Sequence, residues 1–243
     1  MDFRSTASQE LLNLTGNVDL TQKYTWSYSG ISLFKQCPLK YYRLKVVKDI
    51  VEPVQDHLLY GTAVHKAAED YVRDGTPIPA KYGFVKEQLD ALIKIKGDKY
   101  CEYEMGLDKN LQACGFKADN AWWRGIADLI IIDGEKCFLV DYKTSKSSKY
   151  ADTEQLELLS LAIFKHFPNV KKIKAGLLFV VANDFVTREY INDEGKGKAW
   201  VKWLDITHTL ETCMSVNVWN AKPNFTCRNF CPVTDCIHNG KHH

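Results

Sequence analysis

Two carboxylates and one ammonium group stand near the ends of two apolar runs in the sequence. The segment WWRGIADLIIIDGEKCFLVDYKT, residues 122–144, carries Asp128 in its first apolar run and Asp141 and Lys143 at the end of its second. Charged side chains are rarely left inside a protein without a partner or a function. The residue types and their spacing therefore indicate a site that performs chemistry.

A turn between the two runs would bring these three charges together. Asp133-Gly134 is a strong signal for a β-hairpin in which these two residues are the centre of the turn. Because side chains alternate along a strand, this register puts Asp128 and Asp141 on one face as diagonal neighbours. Lys143 projects from the same face, so the sequence predicts two carboxylates and an ammonium group within reach of one ion.

Such a cluster is suited to bind a divalent cation. Mg²⁺ and Mn²⁺ take carboxylate oxygens together with water molecules. A nearby lysine can orient an attacking water or help to remove its proton. The alternative without a catalytic role is a salt-bridge cluster at the end of a sheet, which is a common arrangement.

Further ligands are expected on the elements that flank this hairpin. The segment LLYGTAVHKAAEDYVRDG predicts a helix that presents Gly61, His65 and Glu69 on one face. Taken alone, His65 fits an ordinary half-buried helix histidine. On the first predicted strand Glu102 and Glu104 share a face, and either could complete the acidic site; we name Glu104 as the candidate metal ligand. The alternative is that both are ordinary exposed strand glutamates.

The hydrophobic pattern places these residues in an α/β protein. Helical periodicity dominates before residue 98, and three strand-like segments follow it. A helix, two more strands and a long final helix complete the order, which predicts a mixed central sheet flanked by helices. The length of 243 residues fits one compact domain, and the net charge of +2 gives no overall basic field that would indicate nucleic acid.

The chain divides into an arm and a single domain. Residues 1–25 are polar and unpatterned and are predicted to form a flexible arm, and residues 26–243 form the domain. Within it we predict a helical N-terminal lobe (26–98), a catalytic core (99–192) and a C-terminal helix with a cysteine-rich tail (193–243). We find no membrane-spanning segment and no signal peptide, so a cytoplasmic location is expected.

The joint order of several motifs resembles the PD-(D/E)xK nuclease superfamily. Asp128 followed by VDYKT at 140–144 is similar to its catalytic signature. Three further segments resemble motifs of the RecB-like exonuclease branch, which includes the AddB nuclease, CRISPR-associated DNA-end exonucleases and phage recombination exonucleases. They are the Gly-x-x-x-His helix in YGTAVH (60–65), the Cys-Pro motif in SGISLFKQCPLKYY (29–42) and the terminal cysteine cluster in CRNFCPVTDC (227–236).

The resemblance implies a restriction-endonuclease-like fold and a deoxyribonuclease that binds one or two Mg²⁺ or Mn²⁺ ions. An imidazole ligand shifts the preference toward Mn²⁺ relative to an all-oxygen site. The implied metal ligands are His65, Asp128, Asp141 and the carbonyl of Val140, and Lys143 would assist the attacking water.

Gln155 has two interpretations of equal weight. The resemblance assigns it to the Gln-x-x-x-Tyr motif and to the catalytic residues, although position 159 is Leu here. Alternatively, Asp152-x-x-Gln155 fits a capping box at the start of the helix DTEQLELLSLAIFKHFP.

Eight cysteines in a reducing compartment indicate metal ligands rather than disulfide bonds. Cys227, Cys231 and Cys236 stand close together, and Cys37 is a distant fourth candidate. Four thiolates suit either Zn²⁺ or an iron–sulfur cluster. In the resembling nucleases this arrangement holds a [4Fe–4S] cluster that staples the N- and C-terminal segments together. The spacing of the trio departs from that family, which keeps Zn²⁺, with His238, as an alternative.

Basic and aromatic residues near these motifs could contact a nucleic acid backbone and its bases. A solvated charged face, or core packing in the case of a tryptophan, is the alternative. The predicted DNA contacts are Tyr41, Arg43, Lys146, Trp123 and Arg124.

The function predicted from these features is a metal-dependent exonuclease that hydrolyses phosphodiester bonds at the free ends of single-stranded or duplex DNA. The expected setting is recombination, repair or phage DNA processing in a bacterial or phage-infected cell. A recombinase or a single-strand annealing protein is an expected partner, and no membrane association is expected. The alternatives are a structure-specific or nicking endonuclease, and a cluster-stabilised nucleic-acid-binding module with a vestigial site.

Overall fold

The computed structural model describes residues 24–52, 55–192 and 198–241. The flexible arm predicted over residues 1–25 lies outside this part of the chain except for its last two residues. None of the described helices is long and apolar enough to cross a membrane.

The chain forms two compact units. The first, called the sheet unit, comprises residues 54–200. The second, called the terminal unit, combines the described residues 24–52 with residues 201–241. The prediction of one nuclease domain over residues 26–243, with its three parts, stays a prediction.

A six-stranded sheet forms the centre of the sheet unit. Its strands are β1 (Asp98–Leu107), β2 (Ala113–Cys114), β3 (Trp123–Asp133), β4 (Lys136–Lys143), β5 (Lys172–Phe179) and β6 (Asp184–Ile191). The strand order is β2-β1-β3-β4-β5-β6, with β4 and β5 parallel and all other neighbours antiparallel. The predicted mixed sheet is thus confirmed, and the short β2 is a strand that the sequence pattern did not predict.

Helices flank this sheet, as the sequence predicts and as a restriction-endonuclease-like fold requires. The helix α3 (Asp56–Asp74) is followed by Gly75, whose φ of +71° is a conformation that glycine adopts easily. A π-helical turn covers Tyr42–Val47, and 3₁₀ turns cover Ala80–Val85 and Phe225–Cys227. The α-helices are α1 (Tyr28–Gln36), α2 (Pro38–Tyr41), α3 (Asp56–Asp74), α4 (Lys86–Ile93), α5 (Glu154–His166) and α6 (Lys198–Val216).

The turn of the β3–β4 hairpin lies one residue later than the sequence predicts. Asp133 pairs with Lys136, which makes Gly134 and Glu135 the central residues of the turn. Gly134 has a φ of +62°. A glycine at the first central position is typical of one of the two common hairpin turns, and this preference outweighs the Asp-Gly signal.

The shifted register changes which residues face each other on β3 and β4. The last pair of the ladder is Leu129 with Val140. The next residues along the two strands, Asp128 and Asp141, therefore lie across from each other and not diagonally as predicted. Among the described residues, β3 continues to Trp123 without further pairing to β4, so a gap opens between the strands at the two carboxylates.

The helix α3 is held against the hairpin by a buried apolar cluster. Val64 and Ala68 of α3 and Leu89 of α4 pack together with Leu129 and Val140. Burying each large apolar side chain of this kind contributes about 1.5–3 kcal/mol. Because Leu129 and Val140 form the last pair before the gap, this packing positions the side chains that α3 presents there.

The terminal unit has an aromatic core. Trp219 stacks on Tyr42 with ring centroids 5.1 Å apart and on Tyr41 with centroids 6.0 Å apart. Phe34 of α1 meets Trp219 edge-on at a centroid distance of 6.4 Å. Aromatic contacts therefore join the two ends of the chain within this unit.

Candidate active site

Side chains from α3 and from both hairpin strands meet at the gap between β3 and β4. His65 directly follows Val64 of the buried cluster, and its Nδ1 lies 3.4 Å from Oδ2 of Asp128. The backbone N–H of Tyr142 donates a hydrogen bond of 2.6 Å to the same oxygen. This bond fixes the Asp128 carboxylate beside β4, and the Tyr142 ring packs edge-on against the imidazole at 5.8 Å.

Glu102 on β1 completes a set of three metal-ligating residues. Ligand atoms of His65, Glu102 and Asp128, called the ligand group, all lie within 4.8 Å of one another. In the part of the chain that the structure describes, no other set of His, Cys, Asp or Glu meets this spacing. One imidazole nitrogen and two carboxylate oxygens suit Mn²⁺, and the oxygens suit Mg²⁺, so the residues present fit the expected metal.

Glu104, the glutamate favoured from the sequence, does not belong to the ligand group. It is exposed and pairs with Ile126 in the β1–β3 ladder. Glu102 instead has a φ of +49°, a left-handed conformation that costs about 1–3 kcal/mol for a residue other than glycine. The ladder skips Glu102, and this distortion distinguishes two glutamates that strand alternation places on one face. The sequence carries no local signal for it.

Asp141, Lys143 and Gln155 form a ring of contacts, called the Asp141 ring. Gln155 donates from Nε2 to Oδ1 of Asp141 at 2.7 Å and accepts from Nζ of Lys143 at 3.0 Å. Nζ of Lys143 also lies 2.6 Å from Oδ2 of Asp141. The amide of Gln155 therefore holds the carboxylate and the ammonium group in fixed relative positions. Val140, whose carbonyl is an expected ligand, is buried one residue before Asp141.

The capping box that could have occupied Gln155 does not form. The side chain of Gln155 extends to β4, and the Asp152 carboxylate accepts from the N–H of Glu154 at 3.0 Å. Leu159, which replaces the tyrosine of the resembling motif, is buried. Its side chain would lie 3.2 Å from a Cβ at Gly125, so it packs closely against β3.

Burial and mutual repulsion make two of the carboxyl groups hard to ionise. Burial is the main reason that the pKa of Glu102 rises to about 7, and the charges of Asp128 and Glu69 add to the shift. Burial also raises the pKa of Asp141 to about 6, with Asp128 adding to the shift and Lys143 opposing it. A bound cation would relieve the repulsion that these shifts reflect.

His65 is subject to opposing effects. Burial of the imidazole is the largest and lowers its pKa. The hydrogen bond to Asp128 and the charges of Asp128, Asp141 and Glu102 outweigh burial and leave the pKa of His65 above its ordinary value. Because only a neutral imidazole binds a metal ion, protons and metal compete at this site.

The metal-free protein should lose thermal stability as the pH rises from about 4 to above 7. Folding raises the pKa of each of these three groups, so the stability they contribute is complete below the unfolded values. It is lost as the pH rises through about 6 for Asp141 and about 7 for Glu102. Calorimetry in EDTA across this range measures the slope, and Mn²⁺ should restore stability at the alkaline end.

Glu102→Gln should remove part of this pH dependence. The fall in Tm between low and high pH should be smaller in this variant than in the wild type by roughly 2–4 °C. This corresponds to a contribution of about 1 kcal/mol to the free energy of unfolding, which is what solvent screening leaves at a half-exposed carboxyl group. Glu104→Gln is the matched control, since Glu104 is exposed on the same strand, and it should leave the slope unchanged. Equal slopes in the wild type and in Glu102→Gln would contradict the assignment of Glu102.

An open cleft of about 500 Å³ begins at the ligand group. It is lined by residues of α3 between His57 and Glu69, by Glu102 and by Thr144 at the end of β4. A Cβ at Gly61 would lie 3.4 Å from Oγ1 of Thr144, so a larger side chain there would narrow the cleft. The volume suits a ligand of nucleotide size.

The four candidate cysteine ligands line one pocket of the terminal unit. The backbone N–H of Lys222 donates to Sγ of Cys37, and that of Asn224 donates to Sγ of Cys227, both at 3.4 Å. Asn239, which is buried, donates from its amide to the carbonyls of Cys231 and Val233 and so orders the tail. The cysteines of the pocket are Cys37, Cys227, Cys231 and Cys236, and His238 also lines it.

The side chains of this pocket are more widely spaced than the ligand group. Among the described residues, no three of its sulfurs and His238 nitrogens lie within 4.8 Å of one another. Burial raises the pKa of Cys231, with Cys227 and Cys37 adding to the shift and a backbone hydrogen bond at Val233 and the charge of Lys40 opposing it, so a metal ion would have to displace the proton of this thiol.

The structure gives three of the predicted DNA contacts another role. Tyr41 is buried in the aromatic core, and burial raises its pKa to about 12. Trp123 is completely buried in the sheet unit. Arg43 forms ion pairs with Asp49 and Asp235. A covered ring cannot stack on a base, which applies to Tyr41 and Trp123. The two carboxylates that pair with Arg43 are exposed, and a DNA contact stays a prediction for this residue.

The two remaining predicted contacts differ from each other. The guanidinium of Arg124 lies over the ring of Phe116 at 5.7 Å. Lys146 is exposed in the loop after β4. A DNA contact stays a prediction for both.

Comparison with known proteins adds a family match. A model of the PD-(D/E)XK nuclease superfamily matches residues 25–96, which include Cys37 and His65. A search of curated proteins found no match.

Two solved structures resemble the chain at low sequence identity. The protein SSO0001 is 14% identical over 98% of this chain and 99% of its own, with a TM-score of 0.41. A "Putative exonuclease" from Eubacterium rectale is 12% identical over 95% of this chain and 92% of its own, with a TM-score of 0.48. The family match covers less than a third of the chain, and the mixed sheet flanked by helices is consistent with the fold of that superfamily.

Proposed function

We propose that the protein is a metal-dependent DNA exonuclease of the RecB-like branch of this superfamily. One observation carries the proposal. The ligand group, whose ligand atoms all lie within 4.8 Å of one another, is next to the Asp141 ring, which contains Lys143. A module that only binds nucleic acid needs neither a metal-ligating group nor a fixed ammonium group beside it. The intact arrangement therefore argues against a vestigial site.

Each residue of the site has a proposed role. The ligand group would hold the metal, with the carboxylate of Asp141 and the carbonyl of Val140 as further ligands. When bound, one or two Mg²⁺ or Mn²⁺ ions polarise a phosphodiester and lower the pKa of a coordinated water. Lys143 orients the attacking water and stabilises negative charge on the phosphate. Gln155 keeps that ammonium group in place through its 3.0 Å hydrogen bond.

The cleft along α3 is the proposed path of the DNA strand. It reaches the ligand group through Glu102, so a phosphate in the cleft would approach the metal. Its lining includes His57 and Thr144, whose side chains can donate hydrogen bonds to phosphate oxygens. The preference for DNA ends rests on the resemblance to exonucleases.

Mn²⁺ should support cleavage at least as well as Mg²⁺, and Ca²⁺ should not support it. An imidazole ligand favours Mn²⁺, while the larger Ca²⁺ binds carboxylates in a looser geometry. Initial rates on end-labelled linear DNA, measured with each metal after dialysis against EDTA, compare the three ions. Undiminished cleavage in EDTA would contradict a metal mechanism.

The cysteine pocket is proposed to hold a [4Fe–4S] cluster, with Zn²⁺ as the alternative. The four cysteines line one pocket, and the resemblance to nucleases in which this arrangement holds a [4Fe–4S] cluster supports the larger centre. Backbone N–H groups donate to the sulfurs of Cys37 and Cys227, as they do to thiolate ligands of a metal centre. Such a cluster would join the N- and C-terminal segments.

Digestion of linear and covalently closed circular DNA of the same sequence tests the proposed function. We expect the linear form to be degraded from its ends and the circle to remain intact. Cutting of the circle would favour a structure-specific or nicking endonuclease, and no cutting with any metal would favour a binding module. A role in recombination, repair or phage DNA processing, a recombinase or annealing partner, and a cytoplasmic location stay predictions from the resemblance.

A further inference from the structure

The loop of residues 144–153 begins and ends at the Asp141 ring. It connects β4 with α5, so Lys143 immediately precedes it and Gln155 follows it closely. The side chains of these two residues are only 3.0 Å apart. Both ends of the loop therefore lie at the candidate active site.

Hydrogen bonds give this loop a defined shape. Ser145 donates from its hydroxyl to the carbonyl of Ser147 at 3.2 Å, and the N–H of Lys149 donates to Oγ of Ser147 at 3.2 Å. The hydroxyl of Ser148 donates to the carboxylate of Asp184 on β6, and this hydrogen bond connects the loop to the sheet. These hydrogen bonds stabilise the conformation of the loop and so position its exposed side chains near the candidate active site.

The loop presents one aromatic ring and two lysines to solvent. Tyr150 is 87% exposed, which is unusual for a large aromatic side chain in an ordered segment. Nζ of Lys149 lies 5.3 Å from the centre of the Tyr150 ring and orients it through a cation–π contact. Lys146 is exposed as well, and no ion pair joins either lysine to a described residue.

We propose that Tyr150 stacks on an unpaired base of the substrate strand while Lys146 and Lys149 contact the neighbouring phosphates. The inference rests on the proposed nuclease function and names its substrate more closely, as a strand with unpaired nucleotides beside the scissile phosphate. A base offers its flat face to a side chain only when it is not stacked inside a duplex. An exposed ring flanked by unpaired cations has the chemistry that recognises such a strand.

Chain length keeps Tyr150 close to the site. It lies five residues before Gln155, so the two Cα atoms are separated by at most about 18 Å. The stacked base would therefore lie within a few nucleotides of the phosphate at the ligand group. Tyr150 is a positioning residue in this arrangement, because it sets where the strand lies and does not touch the reacting atoms.

Binding of a short oligo-dT strand that contains one 2-aminopurine tests this proposal. The full-length protein is titrated in Ca²⁺, which should allow binding without cleavage, and both anisotropy and 2-aminopurine fluorescence are recorded. Tyr150→Ala should weaken binding by about tenfold and abolish the quenching that stacking causes. Tyr150→Phe, which keeps the ring, should bind and quench like the wild type, and neither variant should alter binding of a closed duplex circle.

The lysines have a separate readout. The slope of log affinity against log salt for oligo-dT should become shallower by about 1.4 in the Lys146→Ala, Lys149→Ala double variant, since each single-strand phosphate contact contributes about 0.7. An unchanged slope would reject the phosphate contacts. Wild-type affinity and quenching in Tyr150→Ala, or an equal loss of binding to the closed circle, would reject the stacking role.

The outcomes separate this inference from the proposed function. A wild-type protein that degrades linear DNA while Tyr150→Ala binds oligo-dT normally would retain the nuclease and overturn the stacking. A wild-type protein that quenches 2-aminopurine but cleaves no DNA would retain the stacking role and overturn the nuclease function. A protein that neither binds nor cuts DNA would overturn both.

Discussion

Asp141→Asn is expected to lower the rate of DNA cleavage by about 10³-fold and to leave folding and DNA binding largely intact. Asn has the shape of Asp and can keep a hydrogen bond to Gln155, but it lacks the charge that pairs with Lys143 and that would bind the metal. Metal-ion catalysis contributes several kcal/mol, and about 4 kcal/mol corresponds to this factor. Single-turnover cleavage of end-labelled linear DNA with excess protein measures the chemical step.

A matched control for this variant lies on the same hairpin. Asp133→Asn alters the turn at the other end, where the carboxylate lies 3.3 Å from Nζ of the exposed Lys96, and should cleave at close to the wild-type rate. Circular dichroism and binding of DNA in Ca²⁺ separate lost chemistry from lost folding. Near-native cleavage by a folded Asp141→Asn protein would remove Asp141 from the catalytic site.

Cys231→Ser is expected to lower the free energy of unfolding by about 2–5 kcal/mol and to abolish the metal centre of the terminal unit. Cys37 and Cys227 lie near the two ends of the sequence, so a centre that joins them closes a loop of most of the chain. Its loss frees the unfolded chain and removes the contribution of metal binding to folding. Urea unfolding measures the change, and elemental analysis of anaerobically purified wild type should find about four irons per chain.

Cys213→Ser is the matched control for the cysteine variants. Cys213 is a half-buried free cysteine on α6 in the same unit, and its replacement should leave the metal content unchanged. One zinc per chain and no iron would reject the iron–sulfur cluster but keep a metal staple. The wild type with neither metal would reject both.

The part of the site carried by the hairpin was predictable because its signals are local. Alternating apolar residues and a turn signal define β3 and β4, and Asp128, Asp141 and Lys143 follow from them. The actual turn lies one residue later than predicted, which shifts the pairing by two residues. A shift of two preserves the alternation of side chains, so the carboxylates still meet although the register is different.

Other parts of the site could not be derived from pattern alone. Glu102 belongs to the ligand group because of a left-handed backbone conformation inside β1, and alternation gives Glu104 the same standing. The spacing of basic and aromatic residues likewise does not reveal that Tyr41 and Trp123 are covered by other side chains. Burial of this kind depends on tertiary packing, which a local pattern does not encode.

Anomalous diffraction from a crystal soaked in Mn²⁺, recorded at the manganese edge, tests the central claim most directly. The claim is that residues of α3, β1 and β3 form one metal centre in the gap of the hairpin. We predict a manganese peak within about 2–2.5 Å of ligand atoms of His65, Glu102 and Asp128. A well-ordered crystal with manganese bound only elsewhere, or with none at these residues at saturating Mn²⁺ above pH 7, would contradict it.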